Sequence, residues 1–245
     1  MNDIKTAIER YLAATHQKKL SLRAALFDMD GVLYDSMPNH ATAWVQVTSK
    51  YGFHATREEA YLHEGRTGDD TINILSAREG IEISPEDRLK IYAEKIQLFN
   101  ACPPVKPMAG SRELLRQVVD SGLLAMLVTG SGQPSLLDNL NSDFPGVFTR
   151  EMMVTSFDVK NGKPHPEPYL TALAKGGLQT FEAIVVENAP LGVQAAKAAG
   201  LFTVAVNTGP LPDSVLTDAG ADYLLPSIEA LLKDNTIFKI QTYEN

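Results

Sequence analysis

Leu22-Arg23-Ala24-Ala25-Leu26-Phe27-Asp28-Met29-Asp30-Gly31-Val32-Leu33-Tyr34-Asp35-Ser36 opens with a short, mainly apolar run that lacks period-two alternation. Such a run suits a strand buried on both faces, as in a parallel sheet. Asp28 and Asp30 follow it two residues apart. On extended backbone their carboxylates point the same way and make a hard-oxygen site suited to Mg²⁺. Gly31 behind them allows a sharp turn. The plainer reading is an acidic turn capping the next helix, and an Asp-x-Asp alone does not separate the two.

Similar runs recur at Leu123–Val128, Ala183–Val186, Phe202–Val206 and Tyr223–Leu225, with amphipathic stretches between most of them. Ser111 is placed to N-cap a helix carrying Leu114, Leu115, Val118 and Val119 on one face and stopping at Gly122. Another helix runs from Pro190 through Val193, Ala196 and Ala199 to Gly200, with a Pro start and a Gly stop. Strand–helix–strand units of this spacing predict an α/β fold built on a doubly wound, Rossmann-like parallel sheet. The segment from about Asn39 to Asn100 breaks the alternation and reads as helix throughout. Trp44, Val45 and Val47 pattern one helix, Tyr61 and Leu62 a second, Ile72, Ile74 and Leu75 a third, and Leu89, Ile91, Tyr92, Ile96 and Phe99 a fourth. Pro103, Pro104 and Pro107 close the insert with a stiff linker. The expected organisation is an N-terminal helical extension at 1–20, a Rossmann-like core domain at 21–37 and 107–245, and an inserted helical cap domain at 38–106. In the extension Ile4, Ala7, Ile8, Tyr11 and Leu12 form a stripe that could pack on the core or on a second subunit.

Composition narrows the function classes. The chain has 245 residues, 44% hydrophobic and 21% charged, which is ordinary for a globular protein. Its 22 basic and 30 acidic residues give a net charge of −8, and no Lys/Arg run exceeds Lys18-Lys19, so nucleic acid is not an expected partner. Cys102 is the single cysteine, which excludes an intramolecular disulfide and a cysteine zinc site. No apolar run is long enough for a membrane span, and the first twenty residues lack the apolar centre of a signal peptide. The expectation is a soluble, cytoplasmic protein, a monomer or small homo-oligomer.

Ligands of open α/β sheets bind outside the C-terminal strand ends, and three further strand ends or loops carry polar groups. Thr129-Gly130-Ser131-Gly132 can present a hydroxyl and backbone N–H groups to a phosphate, or be a tight turn in which Thr129 caps a helix. It lacks the third glycine of a dinucleotide fingerprint, and no P-loop occurs. Asn161-Gly162-Lys163-Pro164-His165-Pro166-Glu167-Pro168 is either a stiffened surface loop or a rigid mount aiming the Lys163 ammonium at a phosphate. Glu187-Asn188 can add oxygen ligands to a cation, or Glu187 can be a helix N-terminal charge.

Taken in order, Asp28-x-Asp30-Gly31-Val32-Leu33-x-Asp35-Ser36, Thr129, Gly162-Lys163-Pro164-x-Pro166 and Glu187-Asn188 with Gly192, Ala195-Ala196 and Ala199-Gly200 resemble the haloacid dehalogenase superfamily of phosphotransferases. The similar branch contains β-phosphoglucomutase and small-molecule phosphatases, some of them inorganic pyrophosphatases. The resemblance runs from about Leu22 onward and implies Asp28 as the nucleophile that becomes an aspartyl phosphate. It implies Asp30 as the general acid and base. Mg²⁺ would be held by Asp28, the Asp30 carbonyl and the Glu187-Asn188 pair, with Thr129, Gly130 and Lys163 binding the transferred phosphoryl group. His40, with Trp44 one turn on, matches a His-x-x-x-Trp of the mutase cap hinge; it either steadies Asp30 or is simply a half-buried histidine on an amphipathic helix.

The chain also departs from that pattern. The fourth motif usually has two acids, and Asn188 replaces one. In the cap loop Leu62-His63-Glu64-Gly65-Arg66-Thr67-Gly68-Asp69-Asp70, Glu64 stands where the mutase has a basic residue and Gly68 where it has a phosphate-gripping arginine. Gly132 replaces the lysine after the second motif. Glu64, Arg66, Thr67 and His40 are the candidate cap contacts to substrate. These departures favour hydrolysis of pyrophosphate or a small phosphorylated metabolite. A true β-phosphoglucomutase is the alternative, and a weakly active sensor of phosphorylated metabolites a third.

Overall fold

The structure is a computed structural model and describes residues 3–234, 236–240 and 242–244; Met1 and Asn2 of the expected extension, and Asn235, Gln241 and Asn245, lie outside the described residues. The chain begins with α1 (Ile4–Thr15), β1 (Lys19–Leu20) and β2 (Ala24–Phe27). The inserted helices are α2 (Met37–Lys50), α3 (Arg57–Leu62), α4 (Gly68–Arg78) and α5 (Pro85–Asn100). Then come α6 (Ser111–Asp120), β3 (Leu124–Val128), α7 (Pro134–Asp143), β4 (Met153–Val154), α8 (Glu167–Gly176), β5 (Ala183–Glu187), α9 (Pro190–Ala198) and β6 (Phe202–Val206). The chain ends with α10 (Asp213–Asp218), β7 (Tyr223–Leu225), α11 (Ile228–Lys233), α12 (Thr236–Lys239) and β8 (Tyr243–Glu244).

Six strands form one sheet in the order β4-β3-β2-β5-β6-β7, all parallel. The chain builds from β2 out to β4, then returns to the other side of β2 for β5, β6 and β7, so the switch point lies beside β2. Alternate residues of β2 serve opposite layers. Ala25 and Phe27 join the cluster filled by α1, α6, α7 and α11, whereas Ala24 and Leu26 join that of α8 and α9. This is the doubly wound arrangement that the unalternating strands predict. Phe27 pairs with Leu127 and with Val186, which brings Asp28, one residue on, level with the ends of β3 and β5.

Helices α2 to α5 stand over those strand ends around a core of their own that includes Trp44, Val47, Phe53, Ile72, Leu75 and Ile91. Not every expected face is inside: Leu89 of α5 is 69% exposed and Ile74 of α4 is 37% exposed. Two local expectations also change. The cap of α6 is Gly110 at φ 82°, and Ser111 lies inside the helix with its hydroxyl donating to the Leu33 carbonyl at 3.2 Å. Helix α7 starts at Pro134 with Gln133 as its cap, so Thr129 caps nothing. Helix α9 starts at Pro190 and ends at Ala198 with Ala199 as its cap, and Gly200 follows at φ 79° as the expected stop. No helix among the described residues is long and apolar enough to cross a membrane.

Candidate active site

The end of β2 delivers Asp28 into a buried ionic knot. Lys163 Nζ donates to Asp28 Oδ1 at 2.5 Å, to Glu187 Oε1 at 2.6 Å and to the Val128 carbonyl at 3.0 Å, which uses all three of its protons. Lys163 is fully buried, so the proline-rich segment is a mount for the ammonium and not a solvated surface loop. Burial drives the Asp28 carboxyl up to about 8 despite the opposing charge of Lys163, because Glu187 and Asp30 add repulsion. The Lys163 ammonium is held well above its ordinary range by Asp28 and Glu187, which outweigh its burial.

Glu187 is saturated. Its Oε1 accepts from Lys163 and from the Tyr169 hydroxyl at 3.0 Å, and its Oε2 from the backbone N–H groups of Asn188 and Ala189 at 2.9 and 3.1 Å. Gly192 lies so close that an added Cβ would fall 1.8 Å from Glu187 Oε1. The residue is therefore clamped as an anchor for Lys163.

Asp30 has a different environment. Its Oδ1 accepts from the Ser36 hydroxyl at 2.6 Å and pairs with His40 Nε2 at 3.0 Å. Lys95 Nζ stands 2.6 Å from His40 Nδ1. With the ammonium donating to Nδ1, the imidazole is neutral and gives its Nε2 proton to Asp30. Burial pushes the Asp30 carboxyl up, but His40, Ser36 and Lys95 together overcome it and hold Asp30 below the usual carboxylate range. Burial and the Lys95 charge likewise lower His40.

The cap loop closes the site. Glu64 is buried and accepts from Asn188 Nδ2 at 3.1 and 3.3 Å. Burial and the charges of Asp28, Glu187 and Asp30 raise its carboxyl well above the ordinary value. Arg66 and His63 line the same cavity. Thr67 does not reach it. Its hydroxyl N-caps α4, taking the Asp70 N–H at 3.2 Å and donating to Asp70 Oδ2 at 2.8 Å. On the opposite wall Thr129 Oγ1 accepts the Ser131 N–H at 2.9 Å, which leaves its own proton free for a ligand. Gly130 lies under the cap, where a Cβ would sit 2.2 Å from the Gly65 carbonyl oxygen. The cavity between cap and core is about 50 Å³.

The residues suit a divalent cation. Asp28 Oδ2 and Asn188 Oδ1 are buried oxygens without a hydrogen-bond partner, in a place where four carboxylates share two buried ammonium groups, Lys163 and Lys95. A hard oxygen-seeking ion is the natural counterpart of such a set. Among the described residues no three His, Cys, Asp or Glu side chains form a metal cluster; an amide oxygen stands in the set instead.

Lys95, Tyr169 and Tyr92 belong to the site but lie outside the motifs, whereas Ser36, the last residue of the first motif, takes its place as a donor to Asp30. Lys95 had a signal, since it interrupts the buried stripe Ile91, Lys95, Phe99. Tyr92 fills the space over Gly68, where a Cβ would fall 2.2 Å from its ring, and its hydroxyl meets the Gly132 backbone.

A capped α/β sheet with paired aspartates at the switch point and a lysine bound to the first of them suits a phosphoryl-handling enzyme. The family profile described as "Haloacid dehalogenase-like hydrolase" matches residues 25–206, and the chain belongs to that family. It is 31% identical over 184 residues to "Hexitol phosphatase A" of Escherichia coli (strain K12), covering 74% of this chain and 82% of that protein. It is 32% identical over 213 residues to "Phosphorylated carbohydrates phosphatase" of Thermotoga maritima, covering 86% and 97%. Among solved structures it is similar to "Putative beta-phosphoglucomutase from Bacteroides vulgatus", at 52% identity and a TM-score of 0.93 over 97% of both chains.

Proposed function

We propose that this chain is a Mg²⁺-dependent phosphohydrolase working through an aspartyl phosphate on Asp28, and that its substrate is a compact polyanion, pyrophosphate in the first place. The observation that carries this reading is Glu64, a cap carboxylate buried against Asn188 beside Asp28 in a cavity of about 50 Å³. That volume accommodates a few waters or a small anion. In this reading the second phosphate of pyrophosphate would sit beside Glu64 only with a cation between them.

In this reading Lys163 fixes Asp28 for attack on phosphorus and, with Thr129 and the Gly130 backbone, neutralises the transferred oxygens. Asp28 and Asn188 would hold Mg²⁺ through their open oxygens, with the Asp30 carbonyl and Glu64 beside them. Mg²⁺ bound there would supply positive charge to the phosphoryl oxygens. Glu187, whose acceptor positions are filled by protein donors, acts by holding Lys163. Asp30, kept ionised by His40, Ser36 and Lys95, is well set to take a proton from the incoming water. It is a poor acid at neutral pH, which suits a leaving phosphate better than a leaving sugar alkoxide, because phosphate departs without full protonation.

The relatives' names favour a second reading, a sugar-phosphate phosphatase, and the mutase reading follows the 52% identical structure. Phosphate release from pyrophosphate, β-glucose 1-phosphate and hexose 6-phosphates with Mg²⁺ separates all three. We expect a kcat/KM for pyrophosphate of about 10⁴ M⁻¹s⁻¹ or more, with the esters at least about tenfold slower. Asp28→Asn should remove about 10³-fold or more of kcat while the protein stays folded. Faster hexose phosphate hydrolysis overturns the pyrophosphate assignment, and conversion of β-glucose 1-phosphate to glucose 6-phosphate without release establishes the mutase.

A further inference from the structure

Asp30 is held from two directions. Its carboxylate is gripped by Ser36 and His40, at the start of the inserted helices. Its backbone runs into Gly31, at φ 81°, a residue whose own conformation constrains the turn little. The constraint comes from elsewhere in the chain. The Gly31 N–H donates to the Tyr34 carbonyl at 2.8 Å, and the Gly31 carbonyl accepts from the Thr208 hydroxyl at 2.7 Å, across 177 residues of sequence. Each of the two planar peptide groups flanking Gly31 thus has one hydrogen bond that sets it. Thr208 itself stands on a braced loop after β6. Asn207 donates its N–H to the Leu225 carbonyl, and its side-chain amide donates to the Leu211 carbonyl at 2.9 Å and to Asp213 Oδ1 at 2.6 Å. Gly209, one residue further on, lies under the cap, where a Cβ would fall 3.1 Å from the Tyr61 ring of α3.

We infer that Thr208 is a positioning residue for Asp30, its hydroxyl fixing the Gly31 turn to the core so that the carboxylate keeps its place. The inference rests on the phosphohydrolase reading in one respect, that Asp30 carries the proton in the reaction. With the Gly31 carbonyl unbonded, the glycine turn is free to swing and takes Asp30 with it. A displacement of about 1 Å is enough to cost a reacting group much of its effect. The contact of Gly209 with Tyr61 defines the rival role for the same loop, seating the cap over the substrate. The two roles separate in the kinetics. Positioning Asp30 acts on the chemical step and so on kcat, whereas seating the cap acts on substrate binding and so on KM.

Two variants test this, Thr208→Val, which keeps the shape and removes the hydroxyl, and Thr208→Ser, which keeps the hydroxyl; circular dichroism checks that each is folded. In phosphate release from pyrophosphate with Mg²⁺, Thr208→Val should lower kcat about 10- to 100-fold and leave KM within about twofold. Thr208→Ser should stay within about threefold of wild type in both. Amide hydrogen exchange followed by mass spectrometry reads the turn without any turnover. Exchange across residues 29–34 should be faster in Thr208→Val and as slow as wild type in Thr208→Ser. An unchanged kcat in Thr208→Val, a loss confined to KM, an equal loss in Thr208→Ser, or unchanged exchange in Thr208→Val overturns the assignment. The two readings fail separately. If the wild-type protein releases no phosphate from pyrophosphate or the esters, the hydrolase reading falls, and exchange alone decides whether Thr208 fixes the turn. Release by the wild type together with a Thr208→Val variant of full kcat does the reverse.

Discussion

Lys95 carries a charge into the cap's interior, with the rings of Trp44, Tyr92 and Phe99 at 5.3 to 5.8 Å and His40 as its hydrogen-bond partner. Burial lowers its ammonium from 10.5 to about 8, against a smaller raising effect of Asp30. Because the folded-state value lies below the unfolded one, the unfolded chain holds this proton more tightly. The cost to the fold is fully present below pH 8 and fades as pH rises toward 10.5. The gap corresponds to about 3 kcal/mol at most. Lys95→Met should therefore raise the thermal midpoint at pH 7, and do so less at pH 10. It should also lower kcat about tenfold, since His40 loses the donor that fixes its tautomer and Asp30 loses a stabilising charge. Thermal unfolding at the two pH values, with phosphate release alongside, checks both signs; a midpoint that falls at pH 7 contradicts the argument. Legibility differed among these residues for a physical reason. Asp28, Asp30, Thr129 and Lys163 lie at strand ends or on a proline-bound loop, where sequence neighbours define their setting. Lys95 and Tyr169 act through partners 55 and 18 residues away. Only the misplaced lysine in an apolar stripe hinted at the first, and nothing at the second.

The cap loop seats on the core where side chains are missing. A Cβ on Gly162 would lie 3.0 Å from both the backbone nitrogen and Cγ2 of Thr67, and Gly162 has no positive φ that would otherwise demand glycine. Space alone restricts that position. Gly162→Ala should hold the loop 65–67 off the loop that carries Lys163. The expected result is a severalfold loss of kcat/KM with a thermal midpoint within a few degrees of wild type. Trp44, the single tryptophan, borders the cavity, so its emission should change less on adding Mg²⁺ and imidodiphosphate than in the parent. An unaltered emission response would show that closure tolerates the methyl group. Elements of this kind are only half legible. The five longer apolar runs match β2, β3, β5, β6 and β7 to within two residues; in the first four burial on both faces imprints itself on nearly every position, whereas β7 at the sheet edge is half-buried throughout. Strand β4 spans two residues and leaves too short an imprint. The exposed Leu89 shows the complementary error, an apolar residue counted into a stripe whose buried members are Ile91, Lys95 and Phe99.

The N-terminal stretch is part of the body it precedes. Ile4, Ala7, Ile8, Tyr11 and Leu12 of α1 are all buried and share a cluster with Phe202, Leu231, Ile237 and Phe238. Tyr11 donates its hydroxyl to the Gly200 carbonyl at 2.8 Å and sets its ring edge-on to Phe202 at 5.4 Å. Beyond it β1 pairs antiparallel with β8, Lys19 opposite Glu244 and Leu20 opposite Tyr243, and the Tyr243 hydroxyl donates to Glu9 at 2.6 Å. The first and last described segments thus lock each other against the sheet. The stripe in the sequence shows that α1 has an apolar face but not what covers it, since the covering residues lie some 190 to 230 positions on. Each large side chain fully buried contributes about 1.5–3 kcal/mol, so four of them rival the 5–15 kcal/mol that holds a typical domain together. A chain beginning at residue 21 should therefore unfold at a far lower urea midpoint or fail to accumulate. Tyr11→Phe, which keeps the ring but strands the Gly200 carbonyl, should cost about 1–2 kcal/mol and leave kcat/KM unchanged. If Tyr11→Phe were neutral and the shortened chain equally stable, α1 would be an appendage, and the apolar cluster beneath it would have to close over without it.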